Sequence, residues 1–270
     1  MKDLLTRSIT GILYVFLLLS AVFLSSDAFD FLFLSFGLIC IYEFKKLIKL
    51  SGYYIFIAFL LIWWLFVHLV QEETAVFLLL AVTLSVNLFL IALLYSGKQL
   101  KNLREVHKFI ITLFYIGAGC IFLTMIPYHN HDNPFAKFVI IGIFILIWIN
   151  DSFAYLVGRS LGRTKLFPSI SPNKTIEGFV GGMVFSLIAA YIFSIYNKDL
   201  STLQWITLSL VVVITGTLGD LIESKFKRLA GVKDSGAILP GHGGLLDRLD
   251  SIIFLAPFTY LTLQFFLYVS

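Results

Sequence analysis

Between Gly216 and Ser251 the chain carries five carboxylates, Asp220, Glu223, Asp234, Asp247 and Asp250, interleaved with Lys225, Lys227, Arg228, Lys233 and Arg248. Asp220 is followed by Glu223 and Ser224 at i+3 and i+4, a spacing that sets all three on one helical face. Asp247 repeats the pattern with Asp250 and Ser251. Two helix ends thus offer carboxylates to one layer. A hard divalent cation such as Mg²⁺ takes oxygen ligands, commonly one or two carboxylates completed by substrate phosphates. Asp220, Asp247 and Asp250 are therefore candidate metal ligands, and Lys227, Arg228, Lys233 and Arg248 a candidate phosphate clamp. Helix-end salt bridging accounts for the same acids without chemistry, Asp250 above all. His242 sits among Pro240, Gly241, Gly243 and Gly244. It is a candidate phosphate donor or proton relay, and the glycines let backbone amides approach a ligand. A metal and a polyphosphate suit this string better than a transport pore does.

A second group lies upstream. Asn150 and Asp151 interrupt an apolar run that ends near Arg159. If Arg159 marks the membrane face, Asp151 lies about 12 Å deeper along the helix. A carboxylate there must be paired, hydrated or metal-bound; a structural hydrogen bond to a neighbouring helix is the alternative. The loop from Gly158 to Lys165, with Arg159 and Arg163, suits a phosphate or anionic lipid heads equally well. Ser171 to Gly178 follows, with Ser171 or Asn173 placed to cap the next helix and Glu177 at its positive end. Capping leaves Lys174 unexplained. Gly178 and Gly182, four apart, permit close helix approach.

The elements that must position these residues are membrane helices. The chain is 59% hydrophobic and 13% charged, with a mean hydropathy of +0.94. Runs long enough for a roughly 30 Å hydrocarbon core fall near 8–25, 28–43, 53–70, 75–95, 110–127, 137–157, 178–197, 203–221 and 251–269. None alternates with period two, so an all-α, polytopic bundle of about nine transmembrane helices is expected rather than a barrel. With the N-terminus in the cytoplasm, 18 of the 20 Lys and Arg fall in the tail or in inner loops, and only Lys137 and Lys198 do not. That alternation follows the positive-inside rule. The N-terminal run lacks a convincing cleavage site and reads as a retained helix, with Leu24 to Asp27 a turn.

Cys40 and Cys120 lie in apolar segments and imply neither a disulfide framework nor a zinc site. The net charge of +4 follows the inner-loop bias and gives no reason to expect nucleic-acid binding. Residues 1–270 read as one membrane domain: 1–136 an apolar frame, 137–270 the part carrying the motifs.

Ser224-Lys225-Phe226-Lys227-Arg228, Lys233-Asp234-Ser235-Gly236, Leu239-Pro240-Gly241-His242-Gly243-Gly244 and Asp247-Arg248-Leu249-Asp250 together resemble the C-terminal signature of phosphatidate cytidylyltransferases, also called CDP-diacylglycerol synthases. Asn150-Asp151 with Ala154-Tyr155 and Gly158-Arg159, and Ser171 to Thr175 with Glu177-Gly178, resemble the same family's pattern. The resemblance implies an enzyme of phospholipid biosynthesis in the inner cell membrane, its site facing the cytoplasm, that converts CTP and phosphatidate to CDP-diacylglycerol and pyrophosphate. It further implies Mg²⁺, a second, monovalent cation (K⁺) and a homodimer. On this reading Asp220, Asp247, Lys227, Arg228 and His242 serve catalysis. Substrate is held by Asn150, Asp151, Arg159, Arg163, Ser171, Asn173, Lys174 and Glu177 upstream. Ser224, Lys233, Asp234, Gly243, Gly244 and Arg248 hold it downstream.

These residues suit that chemistry. A phosphomonoester is mostly doubly ionised at neutral pH, so no strong base is needed, and repulsion from the triphosphate is what must be overcome. No covalent nucleophile is evident, which favours direct in-line attack. A CTP-dependent lipid kinase shares nucleotide and setting but transfers the γ-phosphate. A transporter would place its charges near the midplane, whereas here they gather at one face. The paired Asp-rich motif of CDP-alcohol phosphotransferases is absent.

Overall fold

In hydrocarbon every backbone N–H and C=O must be satisfied within the segment, and the long apolar runs accordingly form helices. The structure is a computed structural model and describes residues 2–70, 72–96, 103–129, 135–239, 241 and 243–269, with side chains from residue 10 onward. Nine helical rods stand among the described residues: α1 (Lys2–Leu24), α2 (Ser26–Leu47), α3 (Tyr54–Leu69), α4 (Glu73–Tyr95), α5 (Glu105–Tyr128), α6 (Lys137–Leu161), α7 (Ile176–Tyr196), α8 (Thr202–Ala230) and α9 (Leu246–Val269). The last turn of α3 (Leu65–Leu69) and the middle of α5 (Thr112–Gly117) widen to π-helix. The rods match the nine expected runs. Six of them, α4 to α9, are long and apolar enough to cross a bilayer, while α3 and the apolar part of α1 are shorter.

The break between α1 and α2 falls at Ser25, whose hydroxyl accepts from the Ala28 N–H at 3.0 Å and caps α2. Between α6 and α7, where a plain loop is expected, the chain forms an antiparallel hairpin of β1 (Lys165–Phe167) and β2 (Ser171–Thr175), with Lys165 opposite Thr175 and Phe167 opposite Ser171. The hairpin moves the cap of α7. Ser171 and Asn173 lie in the extended strand, so Thr175 is the capping residue and its hydroxyl accepts from the Gly178 N–H at 3.1 Å.

One apolar cluster joins the rods, with Phe29, Phe44, Phe59, Tyr115, Phe144, Trp205 and Phe254 fully buried. Phe16, Phe31, Leu61, Leu78, Tyr196 and Leu203 lie exposed on the outside. A belt of that kind fits contact with lipid rather than with water. Pro257 sits inside α9, where it deprives the Ile253 carbonyl of its helical donor. Gly119 of α5 packs there, since a Cβ on it would come within 2.6 Å of that oxygen.

Four of the connections between these rods, together with the N-terminal tail, carry most of the basic residues. Contacts there tie them into a single layer. Ser51 donates through N–H and hydroxyl to Glu105 at 2.9 and 2.5 Å, Lys108 reaches the Lys49 carbonyl at 3.0 Å, and Lys225 the Leu93 carbonyl. Of the two exceptions to the basic-residue bias, Lys198, just past α7, donates to the Ser194 carbonyl at 3.0 Å, and Lys137, at the start of α6, lies over the Phe23 and Phe138 rings.

Candidate active site

Small residues bring the motif-bearing helices together. On α7, a Cβ at Gly178 would lie 2.6 Å from the Ala154 carbonyl oxygen, and one at Gly182 would lie 2.6 Å from Asn150 Oδ1. On α8, a Cβ at Gly219 would approach the Asp250 carbonyl at 3.0 Å and Phe254 Cβ at 2.6 Å. Glycines at these positions let α6 lie along α7 and α8 along α9 at close range. Asn150, Asp151, Asp220 and Asp250 are thereby set around one space.

That space is a cavity of about 980 Å³ at the charged end. Its polar wall carries Asn150, Asp151, Arg159, Asn173, Lys174, Asp220, Lys227, Asp234, Asp247, Arg248 and Asp250, all anticipated from sequence, and also Lys165. Its apolar side is formed by Val15 of α1, Ile147 and Trp148 of α6, Phe179 of α7 and Ile252 of α9.

Two ionic groups organise the polar wall. Lys174 pairs with Asp220 at 2.5 Å, both side chains partly exposed, and Ser224 Oγ donates to Asp220 at 3.2 Å. Lys174, which capping left unexplained, thus has a partner on α8. Lys227 lies deeper, pairing with the fully buried Glu223 at 2.5 Å and with Asp247 at 2.7 Å. Asp247 also accepts from the Ser235 N–H at 2.9 Å and the Gly244 N–H at 2.8 Å. Charge-assisted bonds of this kind contribute about 1.5–3 kcal/mol each. Four contacts, counting the bifurcated Ser235 N–H, engage both oxygens of the Asp247 carboxylate. Asp250 is nearly buried, with Oδ1 accepting from the Ser251 N–H at 2.6 Å.

Several anticipated residues stand beside the cavity rather than on its wall, and most of them are held in other contacts. Glu177 accepts from the backbone N–H groups of Arg163 and Thr164 at 3.1 and 3.0 Å, closing the α6–β1 turn. Arg228 donates to the carbonyls of Ile170 and Val232 at 3.3 and 3.2 Å, tying the hairpin to the end of α8. Ser171 is a strand residue, Ser224 supports Asp220, and Gly244 supports Asp247 through its backbone. Gly243 adopts a φ of 87°, a left-handed conformation that favours glycine. The exposed side chains of Arg163 and Lys233 are not part of the wall. His242 lies outside the described residues.

Sequence reasoning passed over Glu43 of α2, which is 1% exposed and accepts hydrogen bonds from the segment before α9. Its signal was the one that singled out Asp151: a carboxylate inside an apolar run, just short of a basic helix end. Tyr14 was also passed over; it lines the cavity and its hydroxyl donates to the Arg248 carbonyl at 3.5 Å.

Among the described residues no three His, Cys, Asp or Glu side chains enclose a metal site by themselves. Asp220 and Asp250 do line the same cavity with oxygen donors. That donor set fits a hard divalent cation whose shell is completed by phosphate oxygens and water.

Comparison with known proteins matches residues 5–266 to the model of the cytidylyltransferase family. A phosphatidate cytidylyltransferase of Bacillus subtilis (strain 168) is 37% identical over 275 residues, covering 98% of this chain and all of the relative. Phosphatidate cytidylyltransferases of Staphylococcus saprophyticus and Staphylococcus aureus (strain COL) are 44% and 45% identical over 150 residues, 55% of each chain. With the family's pattern matched from the first helix to the last, this chain belongs to the cytidylyltransferase family.

Proposed function

We propose that this protein is a phosphatidate cytidylyltransferase, an enzyme that makes CDP-diacylglycerol and pyrophosphate from CTP and phosphatidate. One observation carries the reading: a single cavity joins a wall of phosphate-binding and carboxylate groups to an apolar side, at one end of a helical membrane protein. A lipid phosphate and a nucleotide need such a place to meet. The names of the relatives support the same substrates.

In this reading Arg159, Lys165 and Lys174 receive phosphate oxygens, and Val15, Trp148 and Phe179 accept the start of the acyl chains. An oxygen of the lipid phosphate bonds to the α-phosphorus of CTP as the bond from that phosphorus to the pyrophosphate oxygen breaks. The lipid phosphate is already ionised, so no residue need remove a proton from it. The chain's task is to bring two anions together and hold them in line. Lys227 fixes Asp247 and, through it, the segment carrying Asp234 and Gly244. Asp220 with Asp250 or Asp247, completed by the substrate phosphates, would hold Mg²⁺, which would supply charge neutralisation. A monovalent cation beside it, a homodimer, nine crossings with the N-terminus inside, and a cytoplasmic face of the inner membrane belong to the same proposal.

The test uses protein purified in detergent, phosphatidate, Mg²⁺, and CTP labelled at the α or the γ position. The expected result is α label in lipid, γ label in pyrophosphate, and loss of both on chelation. Transfer of γ label to a lipid would mean a kinase and overturn the reading.

A further inference from the structure

Glu43 lies outside every charged motif of this chain, yet it holds the segment that carries one of them. It sits near the inner end of α2, and among the described residues no lysine or arginine forms an ion pair with it. Its donors are the Leu246 N–H at 2.8 Å, the Leu245 N–H at 3.2 Å and the Ser235 hydroxyl at 3.1 Å. A helix start needs acceptors for its free N–H groups, and here a residue about two hundred positions earlier supplies one.

The segment is built around this carboxylate. A Cβ at Gly236 would fall 2.8 Å from Glu43 Cδ, and one at Gly244 would fall 2.5 Å from Oε2. Ser235 is shared: its hydroxyl donates to Glu43 and its N–H to Asp247. Gly244 is shared likewise, packed on Glu43 and donating to Asp247. A buried carboxylate held by neutral donors is a poor source of stability compared with an apolar residue. What it provides is one defined arrangement of a loop in which the described residues form a bridge between Leu239 and Gly243.

We infer that Glu43 is a positioning residue, fixing Ser235, Leu245 and Leu246 so that Asp234, Asp247 and Arg248 stand together at the cavity; the inference rests on the cytidylyltransferase reading. It acts through the loop and touches no reacting atom.

The test is Glu43→Gln, close in shape, whose amide must turn an N–H toward at least one donor. Three readouts are taken: amide exchange of 235–246, thermal unfolding, and steady-state transfer of α label. Exchange at Leu245 and Leu246 is expected to rise about tenfold with other helices unchanged. The kcat is expected to fall on the order of 10²-fold, with KM for phosphatidate within about threefold of wild type because the apolar side is untouched. Gly236→Ala, which presses on the same carboxylate, is expected to reproduce both effects, and Ser235→Ala to give a weaker version. If Glu43→Gln does not fold, those two variants decide. A folded variant with wild-type kcat, or with unchanged exchange in 235–246, overturns the inference. An inactive wild type would instead overturn the functional reading, and the two failures are told apart by that control.

Discussion

Lys227→Met is the sharpest test of the polar wall, because the cation it removes serves two buried carboxylates at once. Lys227 reaches Glu223 at 2.5 Å and Asp247 at 2.7 Å, with side-chain exposures of 11% for the lysine, 0% for Glu223 and 7% for Asp247. Asp247 keeps the amides of Ser235 and Gly244 when the lysine goes. Glu223 keeps nothing comparable, since apart from Lys227 its oxygens have no hydrogen-bond donor among the described residues. Methionine fills the volume, so the loss is electrostatic. Breaking a buried pair and stranding the charge costs about 3–5 kcal/mol. Glu223→Gln alone leaves the lysine paired with Asp247 and should cost about 1 kcal/mol or less. The double variant should therefore be more stable than Lys227→Met, by roughly 1–3 kcal/mol of coupling. The assay is denaturant unfolding in mixed micelles, followed by tryptophan fluorescence, for wild type, both single variants and the double. A Lys227→Met variant within about 1 kcal/mol of wild type, or simple additivity in the double, would refute the dependence of Glu223 on Lys227.

Asp220 and Asp247, alike in sequence, should separate on substitution. Asp220→Asn breaks a partly exposed pair with Lys174 and should cost at most about 1 kcal/mol of stability, while turnover falls on the order of 10²-fold or more; melting and label transfer on one preparation check both. Asp247→Asn keeps one acceptor oxygen and turns an N–H toward either Lys227 or the Gly244 amide, so about 1.5–3 kcal/mol of stability should go with the activity. A melting curve like that of wild type would return Asp247 to a purely catalytic role. Gly182→Ala drives a Cβ against Asn150 and should cost about 1–3 kcal/mol by prying α6 from α7, measured by unfolding, with Gly231→Ala as the control for a site where nothing lies within 4 Å of the added Cβ but φ is +73°.

Composition and local spacing were enough to specify the frame and to mark the site. Apolar runs of membrane length, with basic residues in every second connection, specify a bundle with one charged end, because hydrocarbon tolerates neither open backbone nor scattered charge. The i, i+3 pairs at Asp220 and Asp247, and Asp151 inside an apolar run, pointed to residues that line one cavity, since such carboxylates are costly unless they face a polar space. How those groups are shared was not legible until the helices were packed. Packing paired Lys174 with Asp220 and brought Asp247 to Lys227, whose pairing with Glu223 four residues earlier on α8 is local, and the hairpin left the cap of α7 to Thr175 once Ser171 and Asn173 entered a strand. Packing also brought Glu43 to Ser235 and Leu246. The contacts of Lys174 with Asp220, Lys227 with Asp247 and Glu43 with Ser235 and Leu246 join parts of the chain distant in sequence. Local spacing records the charge a residue carries, and packing between helices selects the partner that answers it.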